Sequence, residues 1–290
     1  MTSQTDLAAA AREHLPAGVA DTWMSLLRPG IRLIIDGDGD GDGNGPAVGY
    51  LGGEPELPDD VAWPVWEGHG PLSFIASVDC AALPPVASEM GLPVDGRLLF
   101  FYFDGQYDDG DAMVFVSDPE SQAGARVVYV PAGEASAQRA TPEGIEPYKR
   151  IRLASRAVST APSYDHPVLH DAFGTGFSQA AEPEHPLRRQ EFCSAISCGE
   201  GPLHQLGGYA SPVQGDVEYE VAQAALGGSV DWQDPALASE ASRWLLLAQF
   251  DSDDNANMMW GDVGMLYWLI RPDDLAARRF DRAMFTWQCC

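Results

Sequence analysis

Basic residues are what this sequence has least of. Its 290 residues include 17 Lys and Arg against 43 Asp and Glu, a formal charge of −26. Nucleic-acid binding rests on Lys and Arg displacing counterions from phosphates, so no nucleic-acid partner is expected. A basic protein partner or a divalent cation is electrostatically favoured instead. A cysteine framework is also missing. The five cysteines are odd in number and irregularly spaced, which points to a reducing compartment and a cytoplasmic protein. No stretch approaches the ~20 apolar residues that span a bilayer. The opening MTSQTDLAAAAREHL has neither the basic region nor the apolar run of a signal peptide. No membrane partner is expected. Catalytic signatures are absent as well: there is no G-x-S-x-G elbow, no Walker A loop and no H-E-x-x-H. Gly174 and Gly176 do not complete a dinucleotide fingerprint, so no organic cofactor is expected.

What is present argues for a turn-rich, β-dominated α+β fold. Hydrophobic residues make up 45% of the chain, with 30 Gly and 22 Pro, and the eight Trp and eleven Phe exclude a disordered chain. Helix formers between Thr5 and Leu27, interrupted at Pro16 and Gly18, predict two short helices, with Asp21 or Thr22 capping the second. Strands are expected at Ile31–Ile35, Leu72–Val78, Arg97–Phe103, Ala112–Val116, Arg126–Val130 and, facing solvent, Tyr148–Ser159. Residues 161–200 hold short helical patches. Helices follow at Asp216–Leu226 and Pro272–Arg279, the latter with Pro and Asp first and Arg last. The most prominent stretch is Trp244–Ile270, two apolar runs, Trp244–Phe250 and Met265–Ile270, joined by an acidic loop. A last strand is expected at Ala283–Cys289.

The Asp-Gly tract at 36–45 invites comparison with an EF-hand loop. Setting its first position at Asp36, Asp38 or Asp40 puts Ala47, Gly49 or Leu51 where the bidentate Glu belongs. Alternating glycines make ordering costly, and a flexible loop is expected.

Three matches recur in the same order along the chain. YLGGEPELP at Tyr50–Pro58 pairs with QLGGYASPV at Gln205–Val213, FIASVD at Phe74–Asp79 with LLAQFD at Leu246–Asp251, and GRLLFFYF at Gly96–Phe103 with GMLYWLI at Gly264–Ile270. The expected architecture is one duplicated domain over 1–290: helices in 1–29, then similar sheet-containing halves at 30–160 and 161–290, packed about a pseudo-two-fold with short helices at the periphery. The blocks LGGEPELPDDVAWP, PLSFIASVD, LPVDGRLLFFY, HQLGGYASPVQ, LLLAQFDSDD and WGDVGMLYWLI resemble those of the YwqG-like proteins, bacterial proteins grouped as a domain of unknown function. The resemblance runs from about Ala47 to the C-terminus and implies a compact α+β fold with duplicated β-rich halves and no established activity. Similar proteins are sometimes placed as immunity proteins beside toxin genes. The Asp-Gly tract departs from the pattern as an insertion.

Two clusters carry the chemistry. His204, Gln205, Tyr209 and Gln214 surround the Gly207-Gly208 turn, where close backbone approach can admit a ligand and His204 can act as acid or base. A histidine that satisfies buried backbone groups is the competing role. Asp251, Asp253, Asp254 and Asp262 can converge as hard oxygen ligands for Mg²⁺ or Ca²⁺, or simply cap turns, with Asp251, Asp253 and Asp262 the candidate metal ligands. Trp260 and Met258-Met259 either line a pocket beside that loop or cover the core. Cys193, Cys198, His204 and Cys289-Cys290 are zinc-ligand types without zinc-site spacing, and buried thiols are the better reading. The leading expectation is a cytoplasmic binding protein, of immunity or regulatory type, for a basic protein. The alternatives are a hydrolase-like enzyme using His204 with the Asp251–Asp262 carboxylates, and a divalent-metal or small-molecule sensor.

Overall fold

The computed structural model describes residues 6–35, 47–163, 166–174, 185–197, 201–228, 230–232 and 234–290. The Asp-Gly tract and Cys198 lie outside the described residues. In chain order the elements begin with α1 (Leu7–His14), α2 (Ala17–Ser25), β1 (Arg28–Ile35), β2 (Gly49–Leu51), β3 (Glu56–Pro58), β4 (Val65–Trp66), β5 (Gly70–Pro71), β6 (Ser73–Asp79), α3 (Val86–Glu89), β7 (Arg97–Tyr102), β8 (Ala125–Val130), β9 (Ser136–Gln138) and β10 (Ile151–Thr160). They continue with α4 (Pro167–Phe173), α5 (Gln190–Ile196), β11 (Gln205–Leu206), α6 (Val217–Ala225), α7 (Pro235–Ala241), β12 (Leu245–Asp251), β13 (Met265–Ile270), α8 (Pro272–Ala276) and β14 (Met284–Gln288).

Ten strands form one antiparallel sheet in the order β14-β13-β12-β11-β1-β10-β2-β6-β7-β8. The long β1–β10 pair lies at its centre, in register from Arg28 opposite Thr160 to Ile35 opposite Leu153. On one side Leu51 of β2 faces Ala76 of β6, and on the other Leu206 of β11 faces Ala248 of β12. The β6–β7 ladder shifts register between Phe74 and Ala76, and the β12–β13 ladder does so between Leu246 and Ala248. Such bulges sharpen local twist and bend a strand.

The sheet curls so that its two ends approach. Phe100 of β7 packs edge-on against Phe250 of β12 and Trp268 of β13, with ring centroids 5.0 and 5.3 Å apart, and Tyr102 stacks on Phe285 of β14 at 4.8 Å. The seam is closed by a side chain. Gln122 donates through Nε2 to Phe285 O (3.0 Å) and accepts Phe285 N–H at Oε1 (2.9 Å). This amide takes up peptide groups that an unpaired edge would expose.

β13 shows why the apolar run at 265–270 does not alternate with polar residues. Leu266, Trp268 and Ile270 enter the central core, whereas Met265, Tyr267 and Leu269 meet Val217 and Val221 of α6 on the other face. A strand buried on both faces reads as continuous apolar sequence. A separate cluster joins Leu7 and Ala11 of α1, Trp23 of α2, Leu169 of α4 and Phe192 of α5.

Several expectations are corrected. No strand forms at Ala112–Val116, because Asp108 Oδ2 accepts the Ala112 N–H (2.9 Å) and Ser121 Oγ the Phe115 N–H (2.9 Å), so side chains take the place of a ladder. α2 starts after Pro16, placing Asp21 and Thr22 inside it, where the Thr22 hydroxyl donates back to Gly18 O (2.9 Å). The strand expected to face solvent, β10, does so although it lies mid-sheet between β1 and β2: of its residues only Leu153 and Thr160 are buried. α7, with Asp234 capping the Ala236 N–H and Pro235 in its first turn, was not anticipated.

Candidate functional site

β11 is two residues long, and the segment after it, 207–215, has no ladder of its own. Buried peptide groups need partners, and three glutamines supply them. Gln205 Nε2 donates to Gly207 O (2.8 Å) and Tyr209 O (2.9 Å). Gln249 donates to Leu203 O (2.8 Å) and accepts the Ser211 N–H (2.9 Å). Gln288 accepts the N–H groups of Val213 (2.8 Å) and Gln214 (3.0 Å) and donates to Gly215 O (2.7 Å). Thr160 Oγ1 accepts the Tyr209 N–H (3.0 Å), and the Tyr209 hydroxyl donates to Leu26 O (2.9 Å) while Arg28 covers its ring at 4.5 Å. Gly208, at φ 72°, leaves no room for a ligand, since a Cβ there would lie 2.5 Å from Thr160 Oγ1. The close approach foreseen for this turn is to the protein itself.

His204 closes the same region onto the acidic loop. Its Nε2 lies 3.0 Å from Asp253 Oδ2, and its Nδ1 accepts the Asp251 N–H (3.1 Å). Nδ1 therefore carries no proton, and Nε2–H donates to the carboxylate. Both side chains are buried. Asp253 also caps the following 3₁₀ turn through the Asn255 N–H (2.9 Å), and Asp251 accepts the Leu203 N–H (2.8 Å). Burial pushes the Asp253 carboxyl up, but His204 and Asn255 outweigh it and hold the group below its ordinary value. Burial dominates at Asp251 and raises it despite the Leu203 N–H. His204, Asp251 and Asp253 thus meet, without Asp262, with both ring nitrogens and both carboxylates engaged by the fold.

Asp262 stands apart. It is exposed, and its carbonyl accepts the Cys290 N–H (3.0 Å). Gly261 beside it makes room for the chain end, where a Cβ would lie 2.9 Å from Cys289 Sγ. Trp260 is buried against Tyr102 and Tyr148, and Met258 is in the core while Met259 is half exposed. Among the described residues, no three His, Cys, Asp or Glu side chains are grouped to hold a metal ion. The thiols expected to be buried are not: Cys193, which donates to Leu187 O (3.4 Å), and Cys290 are exposed and Cys289 is half-buried.

A second site lies beside β14. A half-open groove of about 520 Å³ runs between β14, α6 and the loop 113–117, and includes Phe115, Gln214, Glu220, Trp232, Thr286 and Gln288 in its lining. Of the residues singled out from sequence, Gln214 and Cys289 border it. Glu220 is its one charged group among the described residues. Its Oε2 accepts from the Thr286 hydroxyl (2.7 Å) and its Oε1 from Gln288 Nε2 (2.8 Å). The rim exposes Trp232 (61%) and Phe115 (53%), large aromatic surface of the kind that marks contact sites. Sequence reading passed over Glu220 as an ordinary acid near the start of a helix. The visible signal was Trp232, an isolated aromatic in a polar turn.

Burial pushes the Glu220 carboxyl above its ordinary value of 4.5; Thr286 and Gln288 pull it back, and neighbouring Glu218 raises it further. A carboxyl raised by folding is protonated in both states at low pH, and above its folded value its ionisation costs stability. Glu220→Gln is therefore expected to raise the melting temperature near neutral pH, with the gain vanishing below about pH 4. Thermal melts across that range check this, and a variant less stable than the parent at neutral pH would contradict it.

Among curated proteins no match is found. Residues 50–289, which take in the glutamine-stapled turn, the His204–Asp253 clamp and the groove, match the family model described as "Domain of unknown function (DUF1963)", and the chain belongs to that family.

Proposed function

We propose that this is a binding protein for a basic protein partner, of immunity or regulatory type, acting in the cytoplasm. The observation that carries the reading is how little positive charge is left at its surface. Lys149 is the only lysine in a chain of net charge −26. The arginines are largely committed: Arg97 pairs with Glu56, Arg271 with Glu240, Arg278 with Asp95 and Arg279 with Asp274, while Arg28 and Arg150 lie over tyrosine rings. The remaining field steers a cationic partner toward the protein. The hydrolase-like alternative loses support because His204 has neither nitrogen open to a substrate.

We also read the chain as a duplicated domain of the YwqG-like, bacterial type. In support, the strands run outward from the central pair in matching order, β10-β2-β6-β7-β8 and β1-β11-β12-β13-β14, and the two bulges fall one residue before Ala76 and Ala248. The groove lies where β14 and α6 of the second half meet the loop 113–117 of the first.

Immobilised protein incubated with host lysate at low salt is expected to retain a basic protein. Once purified, that protein should bind more weakly as ionic strength rises, because screening shortens from about 10 Å at 0.1 M to about 3 Å at 1 M. Recovery of no basic protein at low salt would overturn the reading.

A further inference from the structure

We propose that the groove beside β14 is a subsite for one arginine side chain carried on the basic partner, with Glu220 as its counter-ion and Trp232 and Phe115 as its aromatic walls. This rests on the binding reading above and assigns it a place.

Three observations support it. The first is a positioned carboxylate with spare capacity. An ionised carboxylate can accept about four hydrogen bonds, and Glu220 receives one at each oxygen, from Thr286 and from Gln288. Gln288 is itself fixed by the N–H groups of Val213 and Gln214. One lone pair remains on each oxygen, the arrangement a guanidinium fork engages with two parallel N–H donors. The second is the absence of an internal counter-ion. The groups acting on Glu220 are Thr286, Gln288 and another acid, Glu218, with no cation among the described residues. An arriving cation would relieve both its burial and its repulsion from Glu218. The third is the aromatic rim. Exposed Trp232 and Phe115 offer ring faces to a cation held at the carboxylate, and Trp is the strongest such partner. An anion is repelled by Glu220, and a wholly apolar group would bury it unpaired.

The geometry also selects the mode of entry. β14 ends the sheet, and an extended peptide could otherwise add to it as a further strand. Gln122 already holds the outward peptide N–H and C=O of Phe285. A side chain entering from the partner's surface meets no such block, and about 520 Å³ accommodates arginine with flanking main chain.

The test is a tryptophan-fluorescence titration at low salt with a blocked arginine hexapeptide, and with the same peptide carrying citrulline, the neutral isostere. Arginine peptide should bind saturably to the parent protein. Citrulline peptide, Glu220→Gln and Trp232→Ala should each weaken binding about tenfold or more, in keeping with the loss of a charge-assisted contact. Trp232 is exposed, so its replacement tests the groove independently of the carboxylate. Parent-like affinity in both variants would overturn the assignment, and if that binding stays salt-sensitive, the basic-partner reading survives at another surface. No binding of arginine peptide to the parent would overturn it too, leaving the lysate experiment to judge the broader reading. Equal affinity for N-acetyl-arginine amide alone would make this a small-molecule site and overturn the partner assignment.

Discussion

Trp268→Ala is expected to cost about 4 kcal/mol of stability, within the range found for emptying a large aromatic site in a packed core. Trp268 is 1% exposed and packs against Phe100 and Phe250 at 5.3 and 5.9 Å and against Phe285 at 4.9 Å. Phe100 lies on β7 and the others on β12 and β14, so this ring fills the space between the two ends of the curled sheet. Such a cavity cannot be closed by one element relaxing, since its walls come from β7, β12 and β14 together. The melting temperature should fall by on the order of 10 °C. Trp268→Phe should cost markedly less, because the buried Trp268 Nε1 has no hydrogen-bond partner among the described residues and its removal offsets part of the lost volume. Equal losses for Ala and Phe in thermal melts would show that the ring's packing is not what holds the ends together.

His204→Ala is the second large effect, at about 3 kcal/mol, since deleting one partner leaves a buried carboxylate uncompensated. Two groups are stranded at once, the Asp253 carboxylate and the Asp251 N–H. The sign of the pH dependence follows from Asp253. Its carboxyl is held below its ordinary value of 3.8 in the folded chain. A depressed carboxyl contributes stability in full above the unfolded value and loses it as pH falls through the folded one. The deficit of the variant should therefore be fullest near neutral pH and shrink below about pH 4. Melts of parent and variant from neutral to acidic pH measure it. A deficit that grows on acidification would mean Asp253 is not the group His204 holds.

Sequence and structure agree where burial dictates residue type. The runs that became β7, β12 and β13 are long, apolar and bounded by turn residues, so strand was the only economical reading. α1 declared itself by its run of helix formers, and α6 by its spacing and the acidic residues at its start. Legibility failed where side chains replace backbone ladders. Val114 and its neighbours look like a strand, and only the folded positions of Asp108 and Ser121 show that their peptide groups are already taken. The glutamine staple was hidden for a related reason. Gln205, Gln249 and Gln288 sit on three strands, and nothing in their spacing announces that they converge on one turn. His204 and Asp253 stood out by residue type, but their roles depended on which backbone groups lay opposite. The groove was least visible, because Glu220, Trp232 and Thr286 come together only when α6 packs on β13 and β14.

The central claim is that the His204 network is scaffold and the Glu220 groove is the binding surface. The most direct test is to titrate the arginine hexapeptide into His204→Gln and Glu220→Gln at a temperature where both are folded. The account predicts parent-like affinity for His204→Gln despite its lowered melting temperature, and about tenfold or weaker binding for Glu220→Gln despite its raised one. Loss of binding in His204→Gln with full affinity in Glu220→Gln would contradict it.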